Sequence, residues 1–399
     1  MEFDFTTMMD RAGRDAIALD IIPRLPVQPE IGITPIPMWV ADMSFETAPS
    51  ITEEIIRRAK HPAFGYFEAR EEYYQAILDW QATRNGVVGL QREDISYENG
   101  VLGCLATALN VFTSPGEGVL LHSPTYIGFT HCLEDNGRKS ILSPLVQDQN
   151  GVYRMDYADM DAKLKAENIH FAVFCSPHNP SGRVWEKEEI EKAMQIYKEN
   201  NCLVFSDEIW SDLTLTGYHH IPTQSVSPDA KRRTLAVYAP SKTFNLAGLI
   251  GSYSIVYSKH LQDRMRKHAS ATHYNHMNVL SMYALLGAYS EKGAQWTDAL
   301  KEILTHNIAY ACNHIQSHWK GVSLAKPEGT YMLYLDCSEW CKETGETLDT
   351  LLHRGYRCGV IWQDGRPFHT PDSIRMNLAL PFAQLQEALR RLDEFAFQI

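Results

Sequence analysis

Two clusters in this chain place a reactive side chain just past an apolar run. Lys242 follows the run 235–238, and a lysine so placed can point into a cleft. There, burial or a nearby cation lowers its pKa, so the amine can form a Schiff base with a carbonyl; a solvated surface lysine is the alternative. Asp207 lies at the end of the run 202–205 and could orient a cationic heterocycle, bind a metal or cap the next helix.

Two further clusters present backbone and amide groups. In 176–182 two prolines and a glycine fix an unusual backbone path that aims the amide of Asn179, and one or both X–Pro bonds are candidates for the cis form. A plain turn is the alternative. The segment 99–103 holds two glycines and opens an apolar helix that runs to Phe112. Free N–H groups at the start of a helix can bind phosphate. A helix start that binds no ligand is the alternative.

Together the four clusters indicate one kind of ligand. They supply, in chain order, a phosphate cradle, an amide, a carboxylate and a lysine. This set suits pyridoxal 5′-phosphate, a cofactor that provides an electron sink while the protein provides orientation. The sequence contains no GxGxxG motif that follows a predicted strand and is itself followed by an acidic residue about 20 positions later. A nicotinamide-dependent dehydrogenase is therefore a weaker interpretation.

The elements that must position these clusters alternate between strand and helix. Short apolar runs predict strands at 118–122, 171–175, 202–206, 235–238 and 252–257. Amphipathic stretches such as 186–200 separate them and predict helices. The alternation predicts an α/β fold whose mainly parallel sheet is covered on both faces. Ligands of such sheets gather at the carboxyl ends of the strands, where the clusters lie.

Changes in composition and in the strand and helix pattern along the chain predict two domains. Residues 1–48 are rich in proline and read as an irregular N-terminal arm that belongs to the small domain. Residues 49–290 form the predicted large, cofactor-binding domain. Residues 291–399 form a smaller α+β domain, with strand-like segments at 331–335, 358–362 and 374–378. No flexible linker separates the two, so we expect a rigid body with a cleft.

Composition restricts the partners. The chain has 399 residues and a net charge of −12, from 37 Lys and Arg against 49 Asp and Glu. This excess repels nucleic-acid phosphate and anionic lipid, but a few local cations can still hold a small anion. We expect no nucleic acid, membrane or metal partner. The eight cysteines form no CxxC pair, the start lacks a signal-peptide pattern, and no run of about 18 apolar residues occurs, so a cytoplasmic location is expected.

Motifs along nearly the whole chain resemble a known family. The chain is similar to the fold-type I pyridoxal-phosphate enzymes of the aminotransferase class I/II superfamily, and most of all to their cystathionine β-lyase, or C–S lyase, branch of the MalY/PatB type. The matching segments are PMWVADM at 37–43, FGY at 64–66, SPHNPSGRVW at 176–185, SDEI at 206–209, APSKTFN at 239–245 and EGTY at 328–331.

The resemblance implies roles around the cofactor. Lys242 would bind it covalently and then move the substrate Cα proton, and Asp207 would pair with the pyridinium nitrogen. Asn179 would donate to the ring oxygen, and Tyr126 would stack on the ring; a core aromatic under the sheet is the alternative for this tyrosine. The backbone amides of Val101 and Leu102 and the hydroxyl of Ser241 would hold the phosphate.

The resemblance also implies how substrate and subunits meet. Arg375 would clamp the substrate α-carboxylate through two parallel bonds, with Asn179 and Ala41 beside it. From the residues alone, the face that carries Arg375 in the alternating run 373–378 could simply be solvated. Tyr66 would reach the phosphate of a neighbouring subunit, so that a homodimer would share its active sites.

The implied reaction is β-elimination from cystathionine or a related cysteine S-conjugate, which yields pyruvate, ammonia and a thiol. An aminotransferase shares every step through loss of the Cα proton and is the alternative, and a non-catalytic regulatory protein on the same fold is a third interpretation. The chain departs from the branch at two places. Trp210 stands where the branch usually has histidine, and the segment 362–368 lacks the usual glycine-rich loop with a tyrosine.

Overall fold

A computed structural model describes residues 3–398, and its centre is a seven-stranded sheet. In spatial order the strands are Ile95–Glu98, Ser252–Ile255, Thr234–Tyr238, Leu203–Asp207, Phe171–Cys175, Gly118–Ser123 and Lys139–Pro144. Six strands run parallel, and Ser252–Ile255 is antiparallel to both of its neighbours. The predicted α/β fold with a mainly parallel sheet is confirmed.

The central strands are apolar because helices cover both faces of the sheet. Phe171–Cys175 and Thr234–Tyr238 are buried at every position, as expected for parallel strands in the middle of such a sheet. Two strands that the sequence pattern missed, Ile95–Glu98 and Lys139–Pro144, form the two edges and are only partly buried. The last predicted strand ends at Ile255, two residues earlier than expected.

Helices follow most strands and pack against the sheet. The α-helices are Ile17–Asp20, Pro49–Ala59, Glu71–Asn85, Val101–Phe112, Ile127–Asp135, Tyr157–Ala166, Lys187–Glu199, Pro228–Arg233, Lys259–Ala271, Val279–Ala288, Glu291–His318, Ser338–Thr344, Leu348–Arg357 and Phe382–Leu392. Within residues 3–398 none is both long and apolar enough to cross a membrane.

A second, antiparallel sheet is built from the C-terminal part of the chain. Its strands, in spatial order, are Ser323–Leu324, Met332–Asp336, Ser373–Asn377 and Gln363–Asp364. The N-terminal arm joins this part through a short parallel ladder between Ile36–Pro37 and Val360–Ile361. The proposed boundary at residue 290 falls between two consecutive helices. The division into two domains stays a prediction, and its outer ends, Met1, Glu2 and Ile399, lie outside the described residues.

Candidate active site

A cavity of about 370 Å³ opens at the carboxyl ends of the parallel strands. It brings together side chains and backbone from all four polar clusters, although these are spread from residue 99 to residue 242. The residues of those clusters that line it are Asn99, Gly100, Val101, Leu102, Gly103, Asn179, Asp207, Ser241 and Lys242. This is the sheet edge at which ligands of open α/β sheets bind.

Lys242 lies in this cavity and not on the solvated surface. Its Nζ donates to the carbonyl of Ala41 at 2.9 Å and lies 5.9 Å from the ring centroid of Trp210. Burial, followed by the positive charge of Arg375, lowers the pKa of Lys242 to about 8, against the opposing effect of nearby carboxylates. An amine with such a pKa can lose its proton near neutral pH and act as nucleophile or base.

Asp207 ends the strand Leu203–Asp207 with its carboxylate buried at the cavity. Its Oδ1 accepts a hydrogen bond from the backbone N–H of Ile209 at 3.1 Å, and no helix begins there, so the capping alternative is wrong. Burial raises the pKa of Asp207 to about 7, while Ile209 and the charge of Lys242 act in the opposite direction. A cation placed in the cavity would therefore hold this carboxylate ionised.

The turn that carries Asn179 has the unusual backbone path that its composition predicts. Both X–Pro bonds of the segment, Ser176–Pro177 and Asn179–Pro180, are cis. The prediction that one or both of them take the cis form is confirmed. Gly182 has φ of +71°, and a Cβ there would lie 2.6 Å from Pro327, so only glycine fits this close approach. The turn is thus packed against another part of the chain, and its amide is aimed at the site.

Arg375 lies in the middle of the strand Ser373–Asn377 and is only 3% exposed. Its Nη1 donates to Oδ1 of Asn179 and its Nη2 donates to the carbonyl of Trp39, both at 3.0 Å. Within the described residues its Nε has no partner and no carboxylate pairs with it. The solvated-face alternative is wrong, because every residue of this strand is buried. Burial lowers the pKa of Arg375 to about 10.

A buried guanidinium without a carboxylate is a ready receptor for an anion. The two acceptors that Arg375 uses, an amide oxygen and a backbone carbonyl, are neutral. A carboxylate ligand would offer two charged acceptors in the geometry of the guanidinium fork, which is the stronger kind of hydrogen bond. The ring of Phe368, 4.7 Å from the guanidinium carbon, covers Arg375 on one side.

The helix Val101–Phe112 starts at the cavity, directly after Gly100. Gly100 has φ of +82°, and the first helical hydrogen bond runs from the N–H of Cys104 to its carbonyl. The amides of Val101, Leu102 and Gly103 precede this bond, so they stay available at the positive end of the helix dipole. Ser241 lines the same cavity, and together these groups are suited to a phosphate.

A loop outside the predicted motifs holds this helix start in place. The hydroxyl of Tyr274 donates to the carbonyl of Asn99 at 2.9 Å, and Oδ1 of Asn275 accepts from the N–H of Asn99 at 2.8 Å. A Cβ at Gly103 would lie only 1.7 Å from the Tyr274 hydroxyl, so this position requires glycine for the close approach. Sequence reasoning missed both loop residues, because they lie about 170 positions from the helix start.

Tyr126 and Ala41 both line the cavity. Tyr126 lines the cavity at the start of the helix Ile127–Asp135, with its ring edge-on to Phe129 at 5.3 Å, and burial raises its pKa. Ala41 lines the cavity as well and accepts the Lys242 hydrogen bond described above. The segment around Ala41 is held by two asparagine side chains that the sequence analysis assigned no role. Asn377 Nδ2 donates to the carbonyl of Val40 at 2.7 Å, and Asn245 Oδ1 accepts from the N–H of Met43 at 3.0 Å.

The two departures from the branch pattern differ in their relation to the site. Trp210 lines the cavity, is 1% exposed and packs edge-on against Tyr331 at 4.8 Å. In the segment 362–368, Phe368 covers Arg375, and Gln363 pairs with Arg375 in the register of the C-terminal sheet. Trp362, at its start, is buried elsewhere and donates to the carbonyl of Leu352 at 3.2 Å.

Tyr66 does not line the cavity of its own chain. Its side chain is fully exposed, and most of the residues from 61 to 70 are exposed in part or in full. Phe64 in the same segment is 57% exposed. A single chain therefore leaves this predicted cofactor ligand without a site.

The residues that line the cavity fit pyridoxal 5′-phosphate. Free helix amides suit the phosphate, a buried amine suits the aldehyde, and the carboxylate of Asp207 suits a protonated ring nitrogen. The burial of Asp207 supports this match, since burial raises the pKa of this carboxylate and a fixed cationic partner would favour its charged form.

Fold and cavity together define a fold-type I pyridoxal-phosphate enzyme. Comparison with known proteins then narrows this class. The model of the family described as aminotransferase class I and II matches residues 35–392, and the chain belongs to that family.

Individual relatives resemble the chain over its whole length. It is 32% identical to the cystathionine β-lyase PatB of Bacillus subtilis over 392 residues, which is 98% of each chain. Among solved structures, cystalysin from Treponema denticola, which contains pyridoxal 5′-phosphate, matches 99% of this chain and 98% of its own at a TM-score of 0.91 and 29% identity. The pyridoxal-phosphate-bound C–S lyase of Staphylococcus hominis matches 99% of this chain and 98% of its own, at a TM-score of 0.90 and 29% identity.

Proposed function

We propose that this protein is a pyridoxal-phosphate-dependent carbon–sulfur β-lyase that acts on cystathionine or related cysteine S-conjugates and releases pyruvate, ammonia and a thiol. The observation that carries this function is the joint placement of a buried lysine, a buried aspartate and an unpaired buried arginine around one cavity. Similarity to PatB, to cystalysin and to the C–S lyase distinguishes this reaction from others of the family.

We assign the cofactor to the residues that line the cavity. Lys242 would bind its aldehyde, Asp207 would pair with the ring nitrogen, Asn179 would donate to the ring oxygen and Tyr126 would stack on the ring. The amides of Val101 and Leu102, with the Ser241 hydroxyl, hold the phosphate at the helix start. When bound, pyridoxal phosphate withdraws the electron pair that remains when the substrate Cα proton departs.

The other residues of the site hold the substrate and move its proton. Arg375 binds the α-carboxylate with two parallel bonds, and Asn179 and Ala41 border the same space. Lys242 would take the Cα proton at its Nζ, and its lowered pKa of about 8 suits a base that works near neutral pH. Loss of the thiolate from Cβ then follows.

An incubation with L-cystathionine tests this function. We expect pyruvate and ammonia to form without any added keto acid, in amounts that match the thiol released. The same protein with pyruvate or 2-oxoglutarate and an amino acid lacking a leaving group tests the alternative. Amino transfer without pyruvate release from cystathionine would contradict the lyase and identify an aminotransferase. A protein that stays colourless after addition of the cofactor would favour the regulatory interpretation.

We further propose a homodimer in which Tyr66 reaches the phosphate bound by the partner. Support comes from the complete exposure of Tyr66 and from the exposed Phe64 beside it, which are unusual on a surface that meets only water. Ile250 lines the cavity and is itself 53% exposed, so a second copy would also cover the mouth of the site.

Mixing two inactive variants tests the shared site. Tyr66→Ala and Lys242→Ala are each expected to have low activity, but in a hybrid dimer one site would combine the intact Lys242 of one subunit with the intact Tyr66 of the other. Random exchange of equal amounts should restore about a quarter of the wild-type activity, because half of the dimers are hybrids with one complete site. If Tyr66 served its own chain, mixing would restore no activity.

We also propose a cytoplasmic location. All eight cysteines are free, and a protein that keeps so many thiols reduced suits a reducing compartment. Fractionation of cells that express the protein, with detection in the soluble cytoplasmic fraction, is the direct measurement.

A further inference from the structure

A buried glutamate lies beside the helix start that is suited to the phosphate, and the proposed reaction does not use it. Glu98 ends the edge strand Ile95–Glu98, is 2% exposed and stands two residues before Gly100. Its Oε1 accepts from the hydroxyl of Ser254 at 2.8 Å, and its Oε2 accepts from Nδ2 of Asn275 at 2.7 Å. No Lys, Arg or His of the described residues forms an ion pair with it, so a paired cation does not explain why a carboxylate is buried here.

Asn275 connects Glu98 to the helix start. Its Oδ1 accepts from the backbone N–H of Asn99 at 2.8 Å and its Nδ2 donates to Glu98, so each end of the amide has one partner. Asn99 comes directly before Gly100, where the chain passes from the strand to the helix. The backbone of Asn275 has φ of +65°, a conformation that asparagine adopts more readily than most residues. Asparagine therefore suits this position through both its backbone and its amide.

The partners of this amide determine which way it faces. An asparagine side chain ends in two groups of nearly equal size, an oxygen that accepts and a nitrogen that donates. The N–H of Asn99 needs the oxygen, and Glu98 offers an oxygen to the nitrogen. The opposite orientation would set N–H against N–H at one end and oxygen against oxygen at the other. Burial raises the pKa of Glu98 to about 7, but Oε2 stays an acceptor in both protonation states, because Ser254 can accept a proton carried by Oε1.

The backbone of Asn99 is thus held at both of its polar groups. Its N–H is bound by Asn275, and its carbonyl accepts from the hydroxyl of Tyr274. The amides of residues 101–103 can bind one phosphate only if their N–H groups converge, and the residues just before them set the direction of this first turn. Loss of the Asn275 bond would free the helix start to shift. The effect would fall on the phosphate, because the ring of the cofactor is contacted by other elements.

We infer that Glu98 is a positioning residue for the cofactor phosphate: it fixes the amide of Asn275, which fixes the backbone that presents the amides of residues 101–103. The inference rests on the proposed function, because it requires that this helix start binds the phosphate of pyridoxal 5′-phosphate. Neither Glu98 nor Asn275 lines the cavity, so both act through the backbone of Asn99.

The test compares the affinity of the full chain for pyridoxal 5′-phosphate with its affinity for pyridoxal, which lacks the phosphate. Asn275→Gly removes the amide and suits the φ of +65°, and it should weaken binding of pyridoxal 5′-phosphate by about fivefold or more. Its affinity for pyridoxal should change by less than about twofold, because the lost contact serves only the phosphate. Glu98→Leu removes the acceptor and should give the same pattern.

Two conservative variants show whether the acceptor at position 98 is what matters. Glu98→Gln keeps an acceptor of the same shape and should stay within about twofold of the wild type for both ligands. Ser254→Ala is the matched control, since it removes the donor to the other oxygen of the same carboxylate. It should also stay within about twofold. A loss in Glu98→Gln as large as that in Glu98→Leu would contradict the inference.

A double variant separates action through Asn275 from independent action. Glu98→Leu combined with Asn275→Gly should bind pyridoxal 5′-phosphate no more weakly than Asn275→Gly alone. Losses that multiply, equal weakening for both ligands, or an unchanged affinity of Asn275→Gly for the phosphate-bearing ligand would each overturn the inference. If Glu98→Leu fails to fold, Asn275→Gly and Glu98→Gln decide, since Asn275 lies in a partly exposed loop.

Failure of the proposed function gives a different result. A wild-type chain that binds pyridoxal 5′-phosphate no more tightly than pyridoxal would overturn the proposed phosphate site together with this inference. A chain that shows the expected affinities but releases no pyruvate from L-cystathionine would contradict the lyase and still support the role of Glu98.

Discussion

Replacement of Lys242 by alanine is expected to lower kcat/KM for β-elimination by at least about 10³-fold, the effect of removing a positioned nucleophile and base together. Lys242 is the only lysine that lines the cavity in the described part of the chain, and no other amine there could take over its proton transfer. The variant should fold normally, because the substitution removes a single hydrogen bond, the one from Nζ of Lys242 to the carbonyl of Ala41.

Absorbance and chemical rescue are the measurements for this variant. Purified wild-type protein should show the visible band of a covalently bound cofactor, and the variant should lack it. A small primary amine added at high concentration should restore part of the activity, since it can occupy the space that the side chain leaves. Lys231→Ala is the matched control, because Lys231 lies over the ring of Tyr257 at 4.0 Å, away from the cavity. Undiminished turnover in Lys242→Ala would remove this lysine from the mechanism.

The strands that hold the site could be predicted because they are buried on both faces. Phe171–Cys175 and Thr234–Tyr238 read as continuous apolar runs, and polar residues follow each of them at the carboxyl edge. The strand Lys139–Pro144 could not be found in this way. It lies at an edge of the sheet, one face is partly exposed, and its mixed composition resembles that of a loop.

The residues of the site also fall into those that the sequence pattern could locate and those that it could not. Lys242, Asp207 and the helix start after Gly100 could be located because each follows an element that the pattern reveals. The contacts that complete the site are made by backbone carbonyls or by residues far away in the chain. The carbonyl of Trp39, which accepts from Arg375, is an example, since no side-chain type marks a carbonyl that will be used. Only the folded chain, in which the arm pairs with Val360–Ile361 of the C-terminal part, brings these groups together.

The arm also explains how a protein with a net charge of −12 can bind an anionic amino acid. The segment that contains Trp39 and Ala41 offers its carbonyls to Arg375 and Lys242, the two cations of the site. Each cation is thus kept in place by a neutral acceptor, which a charged ligand can outcompete. The positive charge at the cavity comes from these two groups, and the acidic residues on the surface further away are screened by salt.

Replacement of Arg375 should therefore separate recognition of the carboxylate from the chemistry. Arg375→Ala should lower kcat/KM for the amino-acid substrate by about 10²–10³-fold, as expected when one partner of a buried charge pair is removed. Arg375→Lys should recover only part of the loss, since an ammonium group cannot form the two parallel bonds of a guanidinium. Most of the change should appear in KM, because the base and the cofactor site stay intact.

An amine analogue of the substrate that lacks the α-carboxylate makes this prediction specific. Wild-type protein should bind the analogue much more weakly than the amino acid, whereas Arg375→Ala should bind the two with similar affinity, since the group that tells them apart is gone. Arg366→Ala is the matched control, because this arginine precedes Phe368 on the same segment but pairs at the surface with Asp349 and Asp364. It should leave KM within about twofold of the wild type, as surface ion pairs contribute little. If Arg375→Ala still preferred the carboxylate-bearing substrate, another cation, supplied by the partner subunit in the proposed dimer, would have to hold that group.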